Sequence, residues 1–496
     1  MGSKKSLFGV VPDQDRVSWR IKLSFGLGQF GEGAKSNAFN FFLLFYYTIV
    51  LGLSGTLAGT ALLIALLLDG FTDPLMGSIS DASNSRWGRR HPFMYIAAIP
   101  FGVCFFLVFS PPAGLGQIPL FLWLMVLSIL CRAVFMTMYT VPHMAMNAEL
   151  TQNYAERTSL AAWRMIFSNI GGFLVVIGGF FYFFRSGPKY SNGQLNPAAY
   201  SPFGLFFAAA MIMALLICAL GTHSEIPKLR RKESNVQPLG FRRMFYEIKN
   251  CLCVRPFRIK IIAGAIFSAM SGTMLALVVL ALTYFWGLPP KQVGMVMMLA
   301  IVFVIIGAVF ARPISTLIGE KRDTYMIALA WFALWTCSSI FLRLADILPP
   351  NGHWIIFPLV AGTNAIAYAA TGVTSALTPS MIADCTDEHE RIYGVRQEGI
   401  YYGALSLLNK ASTGFGAFMA GIITDITGIG KLAKQSIPDP SALLSFGLIW
   451  GPFPLVMGAI AIIIIWRYDI DQARHTEILD ELKSRKSARL QPQPSK

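Results

Sequence analysis

The chain has 496 residues, of which 54% are hydrophobic and only 14% are charged, and its mean hydropathy is +0.55. Soluble domains carry about 25% charged residues, so this chain would expose too much apolar surface in water and is predicted to lie in a membrane. The net charge of +15 does not indicate nucleic-acid binding, because the basic residues lie in short clusters between apolar stretches.

Twelve apolar stretches are long enough to cross a bilayer as helices. In chain order they cover residues 23–50, 56–80, 92–110, 117–142, 163–184, 203–221, 261–286, 292–318, 324–343, 355–379, 398–425 and 443–467. The pattern predicts an all-α membrane protein of twelve transmembrane helices in two six-helix pseudo-repeats, which is the major facilitator fold.

The longest polar stretch divides the twelve spans into two groups of six. The predicted domains are a cytoplasmic N-terminal segment at 1–22, six-helix bundles at 23–221 and 259–467, a cytoplasmic linker at 222–258 and a cytoplasmic tail at 468–496. Lys and Arg residues cluster before the first span and after the second, eighth and twelfth, whereas the loops near 51–55, 111–116 and 344–354 contain none. This asymmetry predicts that both termini are cytoplasmic, in a multi-pass protein of the plasma (cell inner) membrane.

Two acids in the second span, Asp69 and Asp73, are the most informative residues of the chain. They lie one helical turn apart and therefore on one helix face. A carboxylate in hydrocarbon costs at least ~2.5 kcal/mol, so such a pair is tolerated mainly where it faces a cavity and binds a cation. The pair indicates ion-coupled transport, and the alternative is that both acids pair with basic residues of neighbouring helices as part of the packing.

Five further charges lie within the spans: Glu32 and Lys35 in the first, Arg132 in the fourth, Arg164 in the fifth and Lys410 in the eleventh. Glu32 and Lys35 are three residues apart on one helix and can satisfy each other. Arg132 and Lys410 have no local acid, so Asp69 and Asp73 are their expected partners. The interior bases outnumber the acids, and an anionic substrate, or titration of Lys410, would reduce this imbalance.

The residues after Asp73 predict a helix interruption and a charge network. Pro74 is expected to disrupt the helix and free carbonyl groups that can help bind a cation. Asp81 is expected to form a network with the basic loop that follows, at the cytoplasmic mouth. The basic residues of that loop are Arg86, Arg89 and Arg90.

A short internal repeat supports the division into halves. The sequence Ala-Glu-Leu-Thr at 148–151 follows the fourth span, and Ala-Asp-Cys-Thr at 383–386 follows the tenth, 235 residues later. A Glu-Arg pair follows each of them a few residues later, at Glu156-Arg157 and at Glu390-Arg391. Glu149 and Asp384 therefore occupy matching places, as expected for parallel repeats with the substrate site between the halves, and both are assigned to the cytoplasmic gate.

Several motifs together resemble those of the glycoside, pentoside and hexuronide cation symporters, a family of the major facilitator superfamily. They are Asp69-x-x-x-Asp73-Pro-x-x-Gly77, Ser-Arg-Trp-Gly-Arg-Arg-His-Pro at 85–92, Val141-Pro142, Glu149-Leu-Thr151 with Glu156-Arg157-Thr158, and Asp384 with Asp387. The resemblance covers essentially the whole chain. It implies that Asp69, Asp73 and Thr137 bind the coupling cation, that Lys410 lies close to those acids, and that Arg164 contacts the substrate.

Two departures from the family pattern concern the substrate. Gly33 stands where sugar-transporting relatives carry an acid, with Glu32 one position earlier and turned about 100° away. Thr140 replaces a second acid, and Met144 replaces an aromatic residue. The candidate substrate-binding set is therefore Arg164, Glu32, Lys35, Arg132, Thr140 and Met144.

The predicted function is symport of a small solute with H+ or Na+ by alternating access, with a sugar, glycoside or sugar acid as the solute. A lysolipid or other amphiphile is the alternative. Thr72 offers a weaker Na+ ligand than the amide of sodium-using relatives, and Lys410 can itself fill the cation position, so H+ is slightly favoured. No metal is expected other than Na+ at Asp69 and Asp73, and no cofactor other than the coupling ion.

Neither a channel nor an enzyme is predicted. The chain has no filter-like sequence, no Gly-rich phosphate loop and no cluster of His or Cys ligands. The expected partners are a small-molecule substrate and the lipid bilayer, without nucleic acid, and the protein is expected to be a monomer.

Overall fold

The computed structural model describes residues 17–83, 85–190, 192–229, 249–395, 397–430 and 440–490, which contain helices and no β-strand. Most of the predicted N-terminal segment, the middle of the predicted linker and the end of the tail lie outside the described residues, at 1–16, 230–248 and 491–496. The predicted segments 1–22, 222–258 and 468–496 are therefore described only in part.

The helices that position the site are numbered in chain order. They are α1 (Trp19–Leu27), α2 (Phe30–Ala38), α3 (Gly55–Ala82), α4 (His91–Val108), α5 (Gln117–Ile129), α6 (Thr137–Leu150), α7 (Tyr154–Ile177), α8 (Tyr200–Gly221), α9 (Ile226–Leu229), α10 (Arg255–Leu280), α11 (Pro290–Ile318), α12 (Lys321–Leu344), α13 (Ile356–Tyr393), α14 (Glu398–Ile426), α15 (Pro440–Trp450), α16 (Phe453–Ile465) and α17 (Gln472–Leu490). Wider π-helical turns continue several of them, at Phe39–Leu43, Tyr46–Val50, Leu130–Met136, Gly178–Phe183 and Ala281–Phe285.

Ten helical segments of the described residues are long and apolar enough to cross a membrane. The two remaining predicted spans are also helical. They are the interrupted run from α1 to Val50, which carries Glu32 and Lys35, and α14, which carries Lys410. Together these helices account for the twelve predicted spans of a multi-pass membrane protein.

Among the helices that extend beyond their predicted ends, α7 and α13 extend the furthest. The α7 helix begins at Tyr154 rather than near residue 163, because the Asn153 side chain accepts hydrogen bonds from the first backbone N–H groups. The α13 helix continues to Tyr393 rather than residue 379 and ends at Gly394, whose φ of 75° suits a left-handed C-cap. Hydropathy alone missed both extensions because they are polar.

The predicted interruption at Pro74 is wrong, because α3 is a single helix from Gly55 to Ala82 with Pro74 inside it. A proline removes one backbone hydrogen bond, but the rest of a long helix in a membrane can keep its course. Asp69 and Asp73 therefore lie on one continuous helix.

Cα packing groups the chain into two compact units. The first contains the described residues within 1–40, 71–183 and 198–238, and the second contains those within 41–70, 184–197 and 239–496. These units reflect packing, whereas the predicted halves 23–221 and 259–467 reflect the sequence repeat and stay a prediction. The α3 helix contributes to both units, with Asp69 in the second and Asp73 in the first.

Candidate coupling and substrate site

Asp69 forms an ion pair with Lys410 inside the second unit. The Lys410 Nζ lies 3.0 Å from Asp69 Oδ2 and 3.4 Å from the Asp69 backbone oxygen. Only 7% of Asp69 is exposed. The lysine therefore neutralises the more buried of the two acids of α3, in surroundings where an unpaired carboxylate would be costly.

A close crossing of α3 and α14 brings these two residues together. A Cβ on Gly55 would lie 2.4 Å from the Gly421 carbonyl oxygen, and one on Gly59 would lie 2.8 Å from that of Ala417. Small residues allow helix backbones to approach in this way. The helices run antiparallel along this contact, which continues to Gly70 beside Leu407.

Asp425, at the far end of α14, extends the same contact and was not found from the sequence. Its carboxylate accepts hydrogen bonds from Ser54 Oγ at 2.6 Å and from the backbone N–H groups of Gly55 and Thr56 at 2.7 and 2.8 Å. These N–H groups begin α3, so a carboxylate from another helix caps the helix that carries Asp69 and Asp73.

Asp73 contacts Thr137 inside the first unit. The Thr137 Oγ1 lies 3.2 Å from Asp73 Oδ1 and 3.2 Å from the Arg132 backbone oxygen. The π-helical turn Leu130–Met136 ends just before Thr137 and places the hydroxyl opposite the carbonyl five residues earlier. Such turns are frequent at functional sites. Thr72, half-buried, lies between the two acids on α3.

Arg132 does not pair with an aspartate, so that prediction is wrong. Among the described residues no carboxylate forms an ion pair with it, and its guanidinium lies over the Phe39 ring, 5.2 Å from the centroid. Only 7% of Arg132 is exposed, and its Nε has no hydrogen-bond partner there. The ring face compensates the charge only in part.

Glu32 and Lys35 satisfy each other, as their spacing allows. Their charged atoms are 2.7 Å apart, and the Ser36 hydroxyl donates to the other Glu32 oxygen at 2.8 Å. Both carboxylate oxygens of Glu32 are therefore occupied within its own helix.

Arg164 contacts Gln29, a residue that the sequence analysis did not select. The Arg164 Nε and Nη2 donate to Gln29 Oε1 at 3.4 and 3.3 Å. Gln29 lies four residues before Gly33 in the first span and therefore on the same helix face, which is directed towards α7. This spacing is the sequence signal by which Gln29 could have been selected.

A glycine-lined crossing of α2 and α7 explains why Gly33 carries no acid. A Cβ at Gly33 would lie 1.9 Å from the Ser168 carbonyl oxygen, and one at Gly171 would lie 2.4 Å from that of Phe30. No side chain fits at Gly33 without moving the backbone. Of the other two departures, Thr140 has a buried hydroxyl without a hydrogen-bond partner in the described residues, and Met144 is 50% exposed.

The predicted charge network after α3 is present within the first unit. Arg90 lies 2.5 Å from Asp81 and 2.8 Å from Glu149, and Arg89 lies 3.1 Å from Glu149. Arg90 also donates to the Ser80 hydroxyl at 2.6 Å. Arg86 lies over the ring of its neighbour, Trp87.

Asp384 occupies the matching place within the second unit. It pairs with Lys321 at 2.7 Å, and His475 of α17 lies 3.4 Å away. Lys321 lies between the eighth and ninth spans, as Arg89 and Arg90 lie between the second and third. The repeat detected in the sequence therefore has the same electrostatic pattern in both halves.

Comparisons with known proteins identify the family. The family described as MFS/sugar transport protein matches residues 24–472. A Synechocystis protein named as an uncharacterized symporter is 26% identical over 95% of this chain and 98% of its own length. The glucuronide carrier protein homolog of Escherichia coli is 24% identical over 96% of this chain and 98% of its own length.

A solved structure shows the same fold. A crystal structure of a mutant of the nucleoside transporter NupG matches with a TM-score of 0.62 at 14% identity, over 90% of this chain and 99% of its own. The predicted major facilitator fold and the resemblance to the cation symporters are thus confirmed, and the protein is a membrane transporter, not an enzyme. The chain belongs to the MFS/sugar transport protein family.

Proposed function

We propose that this protein is a cation-coupled symporter that carries a sugar, glycoside or sugar acid by alternating access. The observation that carries the proposal is the ion pair between Lys410 and Asp69, on the helix that also bears Asp73. An intramembrane lysine that neutralises one of two neighbouring acids can be exchanged for another cation, and such groups mark ion pathways.

We infer that H+ is the coupling ion. Lys410 already fills a cation position beside Asp69, and a proton arriving at that carboxylate would release the lysine without any further ligand. A hard cation such as Na+ requires several oxygen ligands. Asp69, Asp73, Thr137 and Thr72 are the candidate oxygens for Na+, which is the alternative coupling ion.

The substrate class rests on the family and on Arg164. The family is described as sugar transport, and one relative is named for glucuronide. Arg164 is half-buried and has a carboxamide rather than an acid as its partner, so its charge is available to a ligand. The other candidate contacts are Glu32, Lys35, Arg132, Thr140 and Met144.

The two charge networks support a proposal for gating and orientation. We place Asp81, Arg86, Arg89, Arg90 and Glu149, with Asp384 in the second unit, at the cytoplasmic ends of their helices, where they favour a closed cytoplasmic face. Both termini are then cytoplasmic, in a plasma (cell inner) membrane protein that works as a monomer.

An amphiphilic substrate such as a lysolipid is the second candidate. The close contact at Gly33 excludes an acid that would accept sugar hydroxyls, and Met144 exposes an apolar side chain where sugar-transporting relatives carry an aromatic one. Both features suit a substrate with fewer hydroxyl groups.

Ligand-dependent thermal unfolding of the purified protein tests the substrate class. The screen contains neutral sugars, sugar acids and lysolipids, each with and without Na+ and at two pH values. A ligand present at 100 times its Kd stabilises the folded protein by about 2.7 kcal/mol. Stabilisation by a sugar or sugar acid supports the proposal, whereas stabilisation by lysolipids alone would replace it with the second candidate.

A further inference from the structure

Gln29 and Arg164 form a polar pair whose remaining hydrogen-bonding groups are all donors. Arginine has no acceptor, so the Gln29 atom that faces it must be the carboxamide oxygen. The two Gln29 Nε2 hydrogens then point elsewhere, and both contacts to Arg164 are long, at 3.3 and 3.4 Å, and share one acceptor. The guanidinium therefore retains hydrogen-bonding capacity for a ligand.

The parallel contact of the first span with α7 fixes this pair in place. Gln29 faces Arg164, Gly33 faces Ser168, and Asn37 faces Gly172, each pair 135 residues apart. The Gly33 position is closed by the Ser168 carbonyl. Gln29 therefore lies on the same face of the first span as Gly33, the position from which an acid is excluded, and one helical turn before it.

The acid of the neighbouring helical turn, Glu32, is paired with Lys35 and Ser36 rather than with Arg164. In the described part of the chain, Arg164 and Arg132 form no ion pair with any carboxylate. Two arginines thus leave positive charge in the first unit that a substrate can neutralise.

We propose that Gln29 acts with Arg164 as a specificity-determining pair that selects a substrate bearing an oxyanion. The ligand chemistry is a carboxylate, sulfonate or phosphate, which accepts hydrogen bonds from the guanidinium and the carboxamide N–H groups together. A neutral sugar offers hydroxyl hydrogens that this pair has no free acceptor to receive. The inference rests on the proposed function of the same site and narrows its substrate to an organic anion.

Titration calorimetry with matched ligand pairs tests this selection. D-glucuronate is compared with D-glucose, and lysophosphatidic acid with monoacylglycerol, so that each pair differs mainly in the oxyanion. We expect at least one anionic member to bind at least tenfold more tightly than its neutral partner. Binding of neither anion, or equal binding of neutral and anionic members, overturns the proposal. The pair that binds tells a sugar acid from a lipid phosphate.

A Gln29→Glu variant tests whether Gln29 determines the preference for an anionic substrate. Its carboxylate would pair with Arg164 and present an acceptor, so we expect anion affinity to fall at least tenfold and neutral-sugar affinity to rise. Gln29→Ala, which adds no charge, should weaken anion binding by a smaller factor and serves if Gln29→Glu does not fold. Gln152→Glu is the matched control, because Gln152 also accepts a hydrogen bond from an arginine, Arg157, but on the exposed surface; it should change neither affinity.

The outcomes separate this inference from the symport function. Cation-driven uptake of a neutral sugar, unaffected by Gln29→Glu, would leave the symporter standing and remove the role of Gln29. Anion binding that depends on Gln29, without any cation-driven uptake, would keep the inference and remove the symport.

Discussion

Lys410 and Asp69 are each tolerated in the membrane because of the other. Their charges are 3.0 Å apart, and an ion pair in low-dielectric surroundings is strongly destabilised when one partner is lost. In the proposed function the same property couples the ion to transport, since protonating the acid would release the lysine. Asp73, whose Oδ1 accepts a hydrogen bond from the Thr137 hydroxyl, keeps a second carboxylate one turn away.

A Lys410→Gln variant should lose stability, and a second substitution should restore it. We expect a loss of about 2 kcal/mol, below the ~3–5 kcal/mol seen when fully buried pairs are broken, because the Lys410 side chain is 26% exposed. The double variant Lys410→Gln with Asp69→Asn also removes the negative charge and should recover most of that loss. Thermal unfolding in detergent measures both, and equal stability of the single variant and the wild type would contradict the account of this pair.

At the scale of the helices, glycines decide where α2 meets α7 and where α3 meets α14. Each crossing brings polar side chains of distant sequence together, Gln29 with Arg164 in one and Asp69 with Lys410 in the other. Replacing a glycine at such a crossing separates the helices and therefore moves these side chains.

Gly33→Ala tests the first crossing. The added Cβ would lie 1.9 Å from the Ser168 carbonyl oxygen, so the backbones must separate, and we expect a cost of about 2 kcal/mol or more. Gly362→Ala, in α13, is the control, because a Cβ added at Gly362 would meet no atom within 4 Å. It should be neutral or stabilising by about 0.5–1 kcal/mol, since alanine is the better helix former. A Gly33→Ala protein as stable as the control would refute the close crossing.

Asp425→Ala tests the cap that α14 places on α3. Loss of a capping side chain costs about 1 kcal/mol, and here three donors at the start of α3 lose their acceptor. The control is Asp480→Ala, which removes an exposed acid that pairs with Lys483 on the surface and should cost far less. Hydrogen exchange at Gly55 and Thr56 should rise in Asp425→Ala alone, and unchanged exchange would exclude the cap.

At the scale of the whole molecule, the fold could be predicted from the sequence, but the contacts between distant helices could not, and the coupling role of Asp69 and Asp73 stays a prediction. Hydropathy located the spans, and helical spacing placed Asp69 and Asp73 on one face. Asp425 and Gln29 were missed because their partners are 135 residues or more away along the chain. The error on Arg132 has the same origin, since no local pattern shows that Phe39 lies beside it.

The internal repeat and the two acids of α3 are distributed differently along the sequence. Glu149 with Arg90 in one unit and Asp384 with Lys321 in the other are equivalent charge clusters, whereas Asp69 and Asp73 lie in the first half of the sequence. The proposed cation site is therefore not repeated with the charge clusters, as expected of a symporter with one coupling step.

Gradient-driven uptake into proteoliposomes tests the central claim, that a cation bound at the α3 acids drives solute transport. The solute is the ligand that stabilises the protein most, and uptake is measured with an imposed pH gradient without Na+, and with a Na+ gradient at symmetric pH with protonophore. We expect accumulation under the pH gradient, and only equilibration in Asp73→Asn, because the amide cannot offset the coupling charge. Accumulation under the Na+ gradient alone would contradict proton coupling, and accumulation under neither gradient, or undiminished accumulation in Asp73→Asn, would contradict the claim itself.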